Sequence, residues 1–207
     1  MKEIILPVTN TFSLTPPIDK VDYSQYEKVG DSYLVPLGNM VSPEKQKEID
    51  IARLNGGKIL YATTSIERKV EQILLDYFLG PFEGHNEKRV IFENDVIQSS
   101  SFSYSFKKGL LRKIVDSHEL LHGKNKNKIN KYLTDIMNWR NAFAHGNIKY
   151  NEPKGCLIEY YAAGKKTDIL DDVYWEKIEK TFYECESLLK ELDKNISSLY
   201  LEDNSNK

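Results

Sequence analysis

"NKINKYLTDIMNWRNAFAHG", residues 127–146, decides the fold. Ile129, Leu133, Ile136, Met137 and Ala144 recur at helical spacing as one apolar stripe, which Tyr132, Trp139 and Phe143 widen, so the segment is a core-facing amphipathic helix. Gly146 follows the last periodic residue and is the natural stop. The end of this helix is unusual. Arg140 occupies the i+4 slot after Ile136, where an apolar side chain belongs, and Thr134, Asn138, Asn141 and His145 form a polar stripe beside the apolar one. At about 100° per residue, Asn141 and His145 lie about 40° apart, whereas Arg140 and His145 are separated by about 140°. One small site on one face does not easily hold all three, and two copies of the helix packed about a twofold axis would supply it.

The neighbouring stretches make a mainly α fold. On the amino-terminal side, Ser42-Pro43-Glu44 starts a short helix that should run to the "NGG" at 55–57. A second helix, with a capping box at Thr64 and Glu67, buries Ile66, Val70, Ile73, Leu74, Tyr77 and Phe78 and stops at Gly80-Pro81. His85 sits in the loop that follows, and "RVIFENDVI" is either a short helix or a strand. "SSSFSYS" opens a further helix with Phe106, Leu110, Leu111, Ile114 and Leu121 inward, ended by Gly123. On the carboxy-terminal side, "CLIEYYA", the turn "AGKK" and "TDIL" make a β-hairpin over about 156–170. Asp171 or Asp172 then caps a last helix whose buried line is Val173, Ile178, Phe182, Cys185, Leu189, Leu192 and Ile196. The expected architecture is a bundle of four to five helices over residues 43–200, with a small hairpin insertion, an irregular or partly extended arm over 1–42 and a frayed tail over 201–207.

Composition narrows the function classes. At 207 residues the chain can bury a sizeable core without metal or disulfide staples, and Cys156 and Cys185 stand in no metal-ligand spacing. No stretch resembles a signal peptide and no apolar run approaches the ~20 residues of a membrane span, so the expectation is a cytoplasmic protein without a membrane partner. The net charge of -2 conceals an uneven distribution: residues 101–150 hold ten Lys and Arg against three Asp and Glu. Lys107, Lys108, Arg112, Lys113, Lys124, Lys126, Lys128 and Lys131 together suit a polyanion.

"RNAFAHG" resembles the Arg-Asn-x-x-x-His form of the signature of the HEPN superfamily, small helical-bundle domains of many prokaryotic toxins and defence proteins. The resemblance implies that the motif ends a long helix, that the domain forms a homodimer through it (here the helix 127–146), and that the activity is that of an endoribonuclease needing no metal or other cofactor. On that footing Arg140, Asn141 and His145 are the catalytic residues, and Lys124, Lys126, Lys128 and Lys131 bind the RNA. An antitoxin or defence-system protein would be a further partner. Some family members paired with a nucleotidyltransferase antitoxin carry a modified tyrosine two residues after the histidine, where this chain has Asn147. The alternative within the family is a non-catalytic module that binds nucleotide, RNA or protein.

A competing motif points elsewhere. "HELLH", His118 to His122, matches the H-E-x-x-H pattern, in which two histidines one helical turn apart bind zinc and Glu119 serves as general base. Gly123 directly after the pattern opposes a continuing helix, and "GKNKNK" supplies no third ligand. "GKKT" at 164–167 lacks the first glycine of a phosphate loop. Tyr160, Tyr161, Tyr174 and Trp175 could stack on bases, although hairpin and helix packing explain them more simply.

Overall fold

The computed structural model of the protein describes residues 1–7, 27–29, 32–34, 42–81 and 86–205. His85, most of the expected amino-terminal arm and the last two residues of the expected frayed tail lie outside these. The described chain is mainly helical, with a small three-stranded antiparallel sheet. Strands β1 (Glu27–Val29) and β2 (Ser32–Leu34) pair antiparallel, with Glu27 opposite Leu34.

Helix α1 runs unbroken from Pro43 to Leu79, so the two helices expected on either side of "NGG" are one. The glycines do not break it, because Gly56 is where another element presses on α1. A Cβ there would meet Phe143 Cδ1 at 2.8 Å. Thr64, expected as a cap, is an interior residue whose hydroxyl donates to the Leu60 carbonyl. The stop at Gly80 is as anticipated: its φ of 82° suits glycine, and its N–H closes on Asp76 O. Asn55, beside the glycines, is fully buried and does the work of a sheet edge. Its Oδ1 accepts from the Ile4 N–H and its Nδ2 donates to the Lys2 carbonyl, both at 3.0 Å, which docks residues 1–7 with Ile4 and Leu6 in the core.

The same segment is pinned to the last helix. Glu179 accepts from the Ile5 N–H and pairs with Lys2, both at 2.7 Å. Burial alone would raise the Glu179 carboxyl, but Lys2 and the Ile5 N–H more than offset this and hold it low. A depressed carboxyl stabilises the fold above its ordinary value of about 4.3, and that contribution is lost as pH falls through the folded value. The urea midpoint should therefore drop between about pH 5 and pH 3. The drop should be smaller in Glu179→Gln; an identical pH profile for the two proteins would refute the link.

"RVIFENDVI" resolves as helix α2 (Glu87–Ile91), capped by Asn86, running into a π-helical turn over Phe92–Ile97. Helix α3 (Tyr104–His118) begins at Ser103, whose hydroxyl accepts from the Phe106 N–H. Its inward line is Tyr104, Lys107, Leu111, Ile114 and Val115, a phase that leaves Phe106 55% exposed against the expectation of burial. Lys107 takes the buried place. Burial works against its ammonium, and Glu67 at 2.8 Å and Glu71 at 2.5 Å outweigh that, so it stays charged inside an α1–α3 ion-pair cluster. It is therefore a structural lysine and leaves the polyanion surface.

Helix α4 (Lys124–His145) packs against α1, α3 and the last helix, α5 (Asp172–Ser205). Asp171 Oδ1 accepts from Tyr174 N–H at 2.8 Å, settling which aspartate caps α5. Of its expected buried line, Ile178, Phe182, Cys185, Leu189, Leu192 and Ile196 are buried, whereas Val173 is 73% exposed and Trp175 fills the core instead. The helix continues to Ser205, into the segment expected to fray. Between α4 and α5 lies the sheet β3-β4-β5, formed by Asn147–Asn151, Gly155–Tyr161 and Lys165–Ile169. The expected hairpin is β4 and β5; β3, paired in register from Asn147 opposite Glu159 to Asn151 opposite Gly155, is an addition.

Candidate active site at the end of helix α4

The core of α4 is Ile129, Leu133, Ile136, Trp139 and Ala142, so its buried stripe turns as the helix ends. Over its first turns α4 faces α3 and α5, and at its end it leans on Gly56 of α1 and on Trp175, whose ring lies 5.8 Å from that of Phe143. That turn moves Ala142 inward and leaves Arg140 and Ala144 exposed, although both sit on the original apolar line. The surprising position of Arg140 is thereby explained: its slot is on the surface, and no buried charge has to be compensated.

Arg140, Asn141 and His145 are all exposed. Arg140 Nη1 donates to Asn141 Oδ1 at 3.1 Å. Asn141 stands between the other two around the helix, so this bond draws the guanidinium toward the side that carries His145 and narrows the 140° separation. Among the described residues neither Arg140 nor His145 is engaged by a carboxylate. The three side chains thus present a cation, an amide and an imidazole to solvent from the last two turns of one helix.

Gly146 fixes where the imidazole stands. Its φ is −84°, open to any residue, so the glycine is not there for a left-handed turn. It is there because a Cβ would lie 2.3 Å from Ala142 O and 2.9 Å from the Ile158 side chain. The Gly146 N–H closes the helix on Ala142 O at 2.7 Å, and the very next residue enters β3. His145 is therefore held between a helix end and a sheet, with no loop on either side. Sequence spacing could locate the glycine but not this close approach. Beside it runs an open groove of about 390 Å³ lined by Arg53, Gly56, Gly57, Phe143, Gly146 and Asn147, among others.

The basic residues fall into two groups. Lys124 and Lys128 are exposed without an ion-pair partner among the described residues. Lys126 pairs with Asp116 at 3.1 Å, as Arg112 does at 3.7 Å, and Lys131 pairs with Asp135 at 2.7 Å. Lys108 donates to Thr134 Oγ1 at 2.9 Å.

"HELLH" does not have the geometry its pattern requires. Helix α3 ends at His118, Glu119 adopts a left-handed conformation (φ 50°), and Leu120 and Leu121 turn into the core. His118 and His122 thus do not share a helix face one turn apart, which is the arrangement zinc binding by H-E-x-x-H depends on. His118 Nε2 is instead 2.7 Å from Tyr77 OH. Among the described residues no group of three His, Cys, Asp or Glu is placed to hold a metal ion. Cys156 and Cys185 are buried, and burial pushes their thiols up to about 11 and about 12, so neither is a ready nucleophile. Trp175 is fully buried and Tyr174 packs edge-on against it, half-buried, so neither offers an open ring face as the core packing stands.

No helix among the described residues is long and apolar enough to cross a membrane. No protein-family model, curated protein or solved structure matches the chain.

Proposed function

We propose that this protein is an endoribonuclease of HEPN type that cleaves RNA without a metal ion, using Arg140, Asn141 and His145. One observation carries the reading: all three residues are exposed at one helix end, with Arg140 held by Asn141 and by no carboxylate among the described residues. A cluster serving only to tie the helix to its neighbours would be engaged by them. In the proposed step the RNA 2′-oxygen bonds to the adjacent phosphorus and the bond to the 5′-oxygen breaks, leaving a 2′,3′-cyclic phosphate and a 5′-hydroxyl. Arg140 steadies charge on the non-bridging oxygens, and His145 moves a proton. One imidazole cannot take the 2′-proton and protonate the leaving oxygen in the same step. The proposal therefore includes a homodimer in which a second copy of α4 supplies the other histidine, with exposed Ala144 letting the helix ends approach. Light scattering should give twice the chain mass; a monomer that cleaves at full rate would overturn the composite site.

The test is incubation with RNA in EDTA, comparing the natural chain with His145→Ala and His118→Ala. Cleavage that survives EDTA and His118→Ala but not His145→Ala, with cyclic-phosphate ends, is the expected result. No cleavage by the natural chain would favour a module that binds RNA or protein without cutting. The proposal extends to a toxin or antiphage role in the cytoplasm with an antitoxin or defence-system partner, for which growth arrest dependent on His145 is the assay.

A further inference from the structure

The exposed side of α4 repeats every seven residues. Lys124, Lys131, Asn138 and His145 form one line, Asn127, Thr134 and Asn141 a second beside it, and all but Thr134 are exposed. Seven residues at about 100° return to within about 20° of the start, so the first line drifts only about 60° over its whole length and the second about 40°. From Lys124 to His145 the ridge is about 31 Å long at 1.5 Å per residue.

Two hydrogen bonds bring further cations onto this ridge. Thr134 holds the Lys108 ammonium of α3, and Asn141 holds the Arg140 guanidinium. Four cations therefore lead along the helix to His145. Asp135 is the helix's one acid, and it is engaged by Lys131 in an exposed pair that a phosphate can displace. Exposed helix positions beyond the first turn ordinarily favour Lys, Glu or Gln, yet Asn138 and Asn141 are among the poorer helix formers. Neither Asn127 nor Asn138 has a side-chain partner among the described residues. A carboxamide offers both a donor and an acceptor, which an acidic polypeptide would not call for and the edges of unpaired bases would.

We infer that this ridge is the track of a single RNA strand, with phosphates on Lys124, Lys131, Lys108 and Arg140, bases or 2′-hydroxyls on the asparagines, and the reacting phosphodiester at His145. Lys126 and Lys128 lie on its flanks and are not part of it. The inference rests on the ribonuclease reading and adds to it the strandedness, the direction of approach and the length of the substrate. At a stacked spacing of about 3.4 Å, the ridge takes about nine nucleotides.

Fluorescence anisotropy with 2′-O-methyl oligoribonucleotides, which bind but cannot be cut through the 2′-oxygen, tests this directly. Affinity should rise with length to about nine nucleotides and then level off. Lys124→Gln with Lys131→Gln should weaken binding about tenfold and lower the salt slope by about 1.4, at about 0.7 per phosphate. Asn127→Ala with Asn138→Ala should weaken binding with the slope unchanged. Lys47→Gln with Lys166→Gln, exposed and away from α4, should change little, and no variant should lose stability in urea, because the residues are exposed and Ala is a better helix former than Asn. Unchanged affinity and slope in the Lys124/Lys131 pair, duplex bound as tightly as single strand, or equal competition by polyglutamate would each overturn the track. Ridge-dependent binding without cleavage by the natural chain would sink the ribonuclease reading and leave the track standing. Cleavage indifferent to the ridge would do the reverse.

Discussion

His145→Ala is expected to lower the rate of RNA cleavage about a thousandfold while leaving the urea midpoint unchanged. The rate effect follows from removing a positioned proton-transfer group, which ordinarily contributes between about a hundred and ten thousand fold. The unchanged stability follows from exposure: the ring sits on the surface with no partner among the described residues, and such substitutions fall within about 0.5 kcal/mol. Arg140→Ala should cost about a hundredfold or more by removing paired donors to the phosphoryl oxygens. Arg140→Lys should restore only part of that, because an ammonium keeps the charge but not the fork. Equal activity in His145→Ala and the natural chain, measured in EDTA on the same RNA, would end the catalytic assignment.

Gly146→Ala should do the opposite in kind, damaging stability and activity together. The added methyl must find room where Ala142 O and Ile158 already stand, so either the last turn of α4 opens or the sheet moves off it. Overpacking of this sort costs about 3 kcal/mol at the upper end of its usual range, which in a chain this size lowers Tm by roughly 6–12 °C. The activity loss should exceed what the unfolded fraction explains, because the displaced turn is the one that carries His145. A variant with natural Tm and natural cleavage would show that the close approach has no bearing on the site. Comparing the two substitutions separates a group that acts from a group that places it.

Much of this arrangement could be anticipated from spacing alone. The first turns of the apolar line of α4, the stop at Gly146, an aspartate cap at 171 or 172 and the hairpin of β4 and β5 depend on local periodicity, β-forming composition and turn chemistry, which a sequence displays. What escaped depends on partners far along the chain. "NGG" has the composition of a helix break, and only the Phe143 ring against Gly56 makes it a helical notch. Lys107 has the composition of surface, and only Glu67 and Glu71, forty and thirty-six residues earlier, make it core. Ala144 fits the apolar stripe until the stripe rotates toward Trp175 and the sheet. "HELLH" looks continuous, whereas the left-handed turn at Glu119 breaks it. The composition of the motif residues was legible, but their shared exposure and the Arg140–Asn141 bond were not.

The order of packing has a consequence during synthesis. Helix α4 is buttressed by α5, whose Trp175, Ile178, Phe182 and Leu189 fill the core between it and α1. A ribosome that has just made RNAFAHG has not yet made these residues, and contacts so distant in sequence form late. The nascent chain thus carries the motif for a time without the scaffold that places it. A cell making such a chain meets the finished helix end only after α5 has emerged, and a message truncated between Gly146 and Asp171 would encode the motif without its support.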